Sequence, residues 1–241
     1  MTFVIATAGI DISVGAVVAI SGAVCCSLIG GRGDGVAEYP MIVAMIAAVA
    51  AGVICGMWNG FLVAKIKIQP MVVTLILMVA GRGIAQLLTE GQIITVYYAP
   101  FSYIGGNIPG NIIPSPIIIA ILMIALVVFI LKKTSLGLFI QSVGINPTAS
   151  RYAGINVALI IFLVYAFSGF CAGVSGLIES SLIRAADANN AGLNMEMDAI
   201  LAVALGGTLL SGGKFYIGGS IIGAITIQTL TTTMYAMGVA S

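Results

Sequence analysis

Residues 41–64 read Met41-Ile42-Val43-Ala44-Met45-Ile46-Ala47-Ala48-Val49-Ala50-Ala51-Gly52-Val53-Ile54-Cys55-Gly56-Met57-Trp58-Asn59-Gly60-Phe61-Leu62-Val63-Ala64. The run holds no charge and a single amide, Asn59, and it is longer than the about 20 residues that carry a helix across the hydrocarbon of a bilayer. Lys65 and Lys67 follow at once, the basic flank expected on the cytoplasmic side of a span. The segment is a membrane-crossing helix. The same pattern recurs at 12–29, 71–88, 116–131 and 158–178, with a short segment at 198–211 and a longer one at 217–235. Residues 1–9 read as the tail of a preceding helix.

Composition agrees with this reading. Hydrophobic residues make up 60% of the chain and charged residues 7%, against about 25% charged in soluble domains. Most of the surface must therefore face lipid. The fold class is all-α, a polytopic transmembrane helical bundle, with residues 1–241 forming one membrane domain. A net charge of +1 gives no footprint for nucleic acid. With no histidine, and with Cys25, Cys26, Cys55 and Cys171 all inside apolar runs, the inventory offers neither His-based catalysis nor zinc-ligand spacing. Met1-Thr2-Phe3-Val4-Ile5-Ala6 opens inside an apolar run without the basic start of a signal peptide. Further helices at both ends of a longer parent protein are expected.

Lysine and arginine set the orientation. Lys65 and Lys67 lie in one connection, Lys132, Lys133 and Arg151 in another, and two spans separate the connections, so both can be cytoplasmic. That places 30–40, 89–115 and 179–197 outside and Lys214 inside. The outer stretch 89–115 carries Pro100, Gly105-Gly106, Pro109 and Pro114, and 179–197 carries Glu179, Arg184, Asp187, Asn189, Asn190 and Glu196. Such a surface suits a periplasmic partner, a substrate vestibule or simple solvation.

Glycines recur four apart at Gly52, Gly56 and Gly60, at Gly169 and Gly173, and at Gly219 and Gly223. This spacing puts them on one helical face and lets helix backbones approach closely in lipid. A G-x-x-x-S-x-G frame occurs twice, at Gly9–Gly15 and Gly207–Gly213, each time before an apolar helix. Glycine-interrupted helices in corresponding positions point towards a transport pathway. Gly207 to Phe215 superficially resembles a phosphate loop, but Thr208 and Phe215 break the frame. This chain therefore holds no ATP by that route, and ATP-driven transport requires a separate hydrolysing subunit.

Charges within membrane spans are costly and are functional candidates. Asp11 lies in the broken segment Thr7-Ala8-Gly9-Ile10-Asp11, where it either faces a pathway or caps the following helix. Arg82, in Ala80-Gly81-Arg82-Gly83, either lines a path or snorkels to the interface. Ser13, Asn59, Gln69, Thr74 and Gln86, with Gln92 nearby, supply amides and hydroxyls. These suit a polyhydroxylated, uncharged solute, and interhelical hydrogen bonding accounts for the same residues.

The inside loop 132–157 is long for a helix connection. Within it Asn146-Pro147 forms a helix start, with Asn at the N-cap and Pro at the first helical position, and Gly154 forms its stop. A short capped cytoplasmic helix between two spans is a natural docking element for a motor subunit.

The segment Gly9-Ile10-Asp11-Ile12-Ser13-Val14-Gly15 resembles the GIDLSVG signature of the ribose/galactose/xylose-type permeases of ATP-binding cassette (ABC) importers. The resemblance continues through Trp58-Asn59-Gly60, Ile68-Gln69-Pro70-Met71-Val72-Val73-Thr74-Leu75, Arg82-Gly83, Val143-Gly144-Ile145-Asn146, Ala153-Gly154-Ile155, Asp198-Ala199-Ile200 and Gly206-Gly207-Thr208. Ala186 to Leu193 most resembles the galactofuranose-type branch. The resemblance implies a non-enzymatic permease subunit in the inner membrane that translocates a monosaccharide and binds no cofactor itself, ATP and Mg being held by a cytoplasmic ABC ATPase. It also implies a periplasmic sugar-binding protein and a second permease subunit, identical or homologous. The coupling region it implies runs from Gly144 to Ile155 and includes Ile145, Asn146, Pro147, Ala149, Arg151, Ala153 and Gly154. Members normally run longer, with a further helix at each end. Branched-chain amino acids as the solute, or a passive channel, are the alternative readings. An intramembrane enzyme would need a base or paired acids that the apolar segments lack.

Overall fold

A computed structural model describes residues 1–30, 39–107 and 113–238. Most of the expected outer loop 30–40, together with Pro109, lies outside the described residues. In chain order the elements are α1 (Thr2–Ala6), α2 (Val14–Ile29), α3 (Met41–Phe61), α4 (Pro70–Leu88), β1 (Ile94–Thr95), α5 (Ser102–Gly105), α6 (Ser115–Lys133), α7 (Leu136–Ile145), α8 (Pro147–Tyr152), α9 (Val157–Ile183), β2 (Ala185–Ala186), α10 (Met195–Leu205) and α11 (Ile217–Ala236). A single π-helical turn, Leu62–Ile66, extends α3. The chain is an all-α membrane bundle. Among the described residues, four helices are long and apolar enough to cross a bilayer: Met41–Ile66, Pro70–Leu88, Ser115–Lys133 and Val157–Ile183.

The bundle is organised on α9, 27 residues long, against which α2 and α3 pack. Glycine makes the closest contact possible. A Cβ on Gly52 would lie 2.9 Å from the Gly173 Cα, and one on Gly56 would lie 3.0 Å from the Gly169 Cα. The two glycine stripes interlock backbone to backbone, the packing that small residues give when lipid offers no hydrophobic drive. The third stripe works the same way, with Gly219 and Gly223 of α11 set against Gly206, just past the end of α10, and Ala202 within it. By contrast only Ser115 of α6 is buried. Val127 and Leu131 pack against the core from one side, and Ile117, Ile118, Ile121, Leu122 and Phe129 are exposed, an apolar surface suited to lipid.

The two ends of the bundle are chemically distinct. At one end Ile29, Met41, Met45, Val96, Phe101, Leu177 and Ala186 form a single cluster, beneath an antiparallel two-strand ribbon that pairs Ile94 with Ala186 and Thr95 with Ala185. At the other end the Gly213 N–H donates to the Ala6 carbonyl at 2.8 Å, and Gly144 abuts both residues. Lys65 and Lys67, Lys132 and Lys133, and α8 connect the same helix termini. The basic connections therefore share one end of the bundle.

Four expectations need correction. The apolar run 198–211 is not a span: α10 stops at Leu205 because Gly206-Gly207 follows and Gly207 takes a left-handed φ of +80°. The stretch 158–178 understates α9, which continues to Ile183, so Glu179 belongs to a helix and not to an outer loop. Loop 132–157 holds a second helix, α7, as well as the expected short one. Finally, α2 begins only at Val14, and its 16 residues leave it shorter than a full span. At 20 residues α11 has the length, but its C-terminal half is rich in threonine, whose hydroxyls bond back to carbonyls one turn earlier, as in Thr226 to Ile222 at 2.8 Å.

Candidate functional site

The break between α1 and α2 is where the sequence leaves the helical pattern. Ala8 sits at φ +59°, and the chain reverses through Gly9 and Ile10 before α2 begins. Polar groups from three helices converge on this break. Asp11 is 3% exposed. One carboxylate oxygen accepts from the Ser13 N–H at 3.1 Å and the Ser13 hydroxyl at 2.6 Å, and the other accepts from Ser168 Oγ of α9 at 2.8 Å. Asn59 of α3 donates through Nδ2 to Ser13 Oγ at 2.9 Å. The single hydroxyl proton of Thr74 on α4 has three carbonyls in reach, that of Ile10 at 3.3 Å and those of Pro70 and Met71 in its own helix. Tyr165, one turn before Ser168, is fully buried with its hydroxyl beside Gly9. Among the described residues neither Tyr165 Oη nor Asn59 Oδ1 has a hydrogen-bond partner.

Ser168 lies 11 residues into α9, about 16 Å along the axis at 1.5 Å per residue, so the cluster sits within the hydrocarbon region. A carboxylate there is stable only if its charge is met. Here it is met by three donors, with no basic side chain among its hydrogen-bond partners. Both options posed for Asp11 bear on this geometry. Its carboxylate binds the N–H of Ser13, the N-cap of α2, and also ties α2 to α9.

Arg82 and Gln86 form a second group. The outer chain after β2 does not stay outside. It folds inward as residues 187–194, placing Ala188 against Ala19, Ile20, Ala23 and Ala85 and Gly192 against Gly15 at the start of α2. Arg82 Nη1 donates to the carbonyls of Ala188 at 3.1 Å and Ala191. Gln86 donates to Asn189 Oδ1 at 2.7 Å, and Glu179 accepts from the Gly192 N–H at 3.0 Å. Asp187 receives the Asn190 side chain and the N–H groups of Asn189 and Asn190. These bonds, led by the Asn190 amide, hold its carboxyl below the usual carboxylate range. Glu196, buried at the first turn of α10, also faces Gly15. The N-terminus of α10 therefore meets that of α2 inside the bundle, the arrangement of half-helices that marks substrate sites in transporters.

The candidates thus divide. Asp11, Ser13, Asn59 and Thr74 come together at the break, and Arg82 and Gln86 come together on the re-entrant segment. Gln69 is exposed as the N-cap of α4 at the basic end, and Gln92 is exposed beyond the far end of α4; neither joins a group. Sequence reasoning missed Ser168 and Tyr165. The only signal was a hydroxyl beside Gly169 on the glycine face of an otherwise apolar helix. A separate cavity of about 320 Å³ among α1, α6, α9, α10 and α11 reaches Ser168. Its walls are mainly Phe3, Val4, Val127, Val164, Phe167 and Ile217, an apolar lining unsuited to a polyhydroxylated solute.

At the basic end α8 forms as its signals require. The Asn146 side chain accepts from the Ala149 N–H at 3.0 Å, Pro147 opens the helix, and Gly154 follows its end at φ +83°. The helix presents Tyr152, 89% exposed, and Ile145, which ends α7 just before it, is 68% exposed.

Comparison with known proteins agrees with this architecture. Residues 1–241 match the family described as "Branched-chain amino acid transport system / permease component". The galactofuranose transporter permease protein YtfT of Escherichia coli K12 is 48% identical over 240 residues, 99% of this chain and 68% of that protein. The fructose import permease protein FruF of Bifidobacterium longum is 40% identical over 247 residues, 99% of this chain and 66% of that protein. The ribose import permease protein RbsC of Haemophilus influenzae is 38% identical over 246 residues, covering 100% of this chain and 73% of that protein. The chain thus spans about two-thirds to three-quarters of these relatives. No solved structure matches it. This multi-pass membrane protein belongs to the permease-component family of ABC importers that includes the sugar permeases.

Proposed function

We propose that the chain is the membrane-spanning permease subunit of an ABC importer that moves a monosaccharide of the galactofuranose class across the inner membrane. The observation that carries the reading is the 48% identity to a galactofuranose permease along nearly the whole chain. The broken α1–α2 segment, with its uncharged donors and acceptors around Asp11, supports it. The alternative solute, a branched-chain amino acid, is less favoured because the matched relatives with sugar names extend to fructose and ribose permeases.

In this reading the chain performs no chemistry. A cytoplasmic ABC ATPase binds ATP and Mg, closes, and pulls on α8. A periplasmic sugar-binding protein delivers the solute at the outer end, and a second permease subunit completes the path. The break between α1 and α2 and the half-helix α10 are the elements whose two arrangements the ATPase biases. The role of Gly144 to Ile155 as the coupling segment rests on the exposed Tyr152 and Ile145, since aromatic and apolar anchors dominate protein interfaces.

Two experiments test this. Uptake of radiolabelled galactofuranose by cells expressing the complete transporter is expected to be saturable and outcompeted by unlabelled galactofuranose. Competition by leucine instead would overturn the sugar assignment. Arg151→Glu combined with Tyr152→Ala is expected to lower uptake about tenfold or more, the loss of roughly 1.4 kcal/mol of docking energy, while the permease still inserts. Unchanged uptake would remove α8 from the coupling role.

A further inference from the structure

The re-entrant segment 187–194 is tied down at four points. Arg82 reaches two backbone carbonyls of the segment, Gln86 reaches the Asn189 side chain, and Glu179 takes the Gly192 N–H. Under these ties Ala188 is 4% exposed and Gly192 lies on the backbone of Gly15. The segment thus covers the α2–α4 face immediately outside the Asp11 cluster. Arg82 stands 12 residues into α4, within a span, where a guanidinium is costly unless its donors are occupied. Nη1 gives both of its bonds to main chain, so the guanidinium reads the backbone of the segment and not a particular side chain. Asp187 adds a nearby negative charge on the same segment.

We infer that Arg82 is the positioning residue that holds segment 187–194 in its inward position as a closure over the outer side of the Asp11 cluster, and that loosening this one clamp exposes the α2–α4 face to the periplasm. The inference rests on the importer reading for its purpose, but its test needs no solute. The chemistry of the side chain gives a second expectation. Both bonds leave one nitrogen, Nη1, which a lysine ammonium could replace. That ammonium is more strongly hydrated and sits on a flexible stem, so lysine at position 82 holds the segment less well than arginine and better than an uncharged residue.

The test is labelling of the complete transporter in spheroplasts with a membrane-impermeant maleimide, on a chain carrying Ala188→Cys. Native Cys25 and Cys26, both fully buried on α2, are the internal control, and each site is read by mass spectrometry on its own peptide. Labelling of a protected thiol follows the population of the open form. Arg82→Gln is expected to raise labelling at position 188 about tenfold, with Arg82→Lys intermediate and Cys25 and Cys26 unchanged. No rise at position 188 overturns the inference. An equal rise at Cys25 and Cys26 overturns it too, because Arg82 would then support the whole bundle and not one segment. Should Arg82→Gln fail to reach the membrane, Glu179→Gln, which keeps the side chain's size and weakens the Gly192 tie, decides by the same pattern with a smaller rise. Uptake measured on the same cells reports separately on the importer reading. Labelling that follows the pattern in cells without sugar uptake would sink that reading and leave the clamp standing.

Discussion

Replacing Asp11 by alanine is expected to destabilise the protein by about 3 kcal/mol or more, because three buried donors lose their acceptor at once. The carboxylate accepts three hydrogen bonds, from the Ser13 N–H, Ser13 Oγ and Ser168 Oγ. Each donor left unpaired in a water-excluded site costs about 1–3 kcal/mol. The loss also removes the only direct polar tie, among the described residues, from the α1–α2 break to α9, and through Ser13 it disturbs Asn59 on α3. Asp11→Asn keeps the shape and one acceptor, and its amide can donate to Ser168, so about half the loss is expected. The measurement is denaturant unfolding of the protein in mild detergent. If the Ala and Asn variants are equally stable, the hydrogen bonds around Asp11 are not what holds the break.

Gly56→Leu is expected to cost at least about 3 kcal/mol, the upper range for overpacked sites. Its Cβ would stand 3.0 Å from the Cα and N of Gly169, which are backbone atoms that no side-chain rotation can move away. The two helices would have to separate, pulling Asn59 on α3 away from Ser13. Gly83→Leu is the matched comparison, because a Cβ at Gly83 meets nothing within 4 Å. That variant should be recovered from detergent as well as the parent, while Gly56→Leu should aggregate. Equal recovery of the two would mean that the α3–α9 contact is not made through its glycines.

Much of this arrangement was legible in the sequence because lipid imposes simple rules. Long apolar runs gave α3, α4, α6 and α9, and the four-residue glycine spacing picked out the faces by which α3 meets α9 and α10 meets α11. The capped helix α8 was readable from Asn146, Pro147 and Gly154 because caps act locally. Other features depend on contacts distant in sequence. Nothing local marks Ser168 as the partner of Asp11, 157 positions away. Arg82 read as a residue that either lines a path or reaches the interface, but it bonds to carbonyls 106 and 109 residues on. The inward fold of 187–194 was hidden because a stretch with one aspartate and three asparagines looks like solvated loop until an arginine, an amide and a carboxylate meet it. The helix α7 was missed because its ten residues are too few for a span and its connection to α6 is short.

The most direct test of the central claim is to isolate the complete transporter from its native membrane in mild detergent and identify its bound subunits by mass spectrometry. An ABC ATPase and a periplasmic sugar-binding protein are expected to co-purify, with the ATPase lost from the Arg151→Glu, Tyr152→Ala variant. Isolation of the permease alone, from intact membrane and with Tyr152 unaltered, would contradict the importer and point to a stand-alone channel.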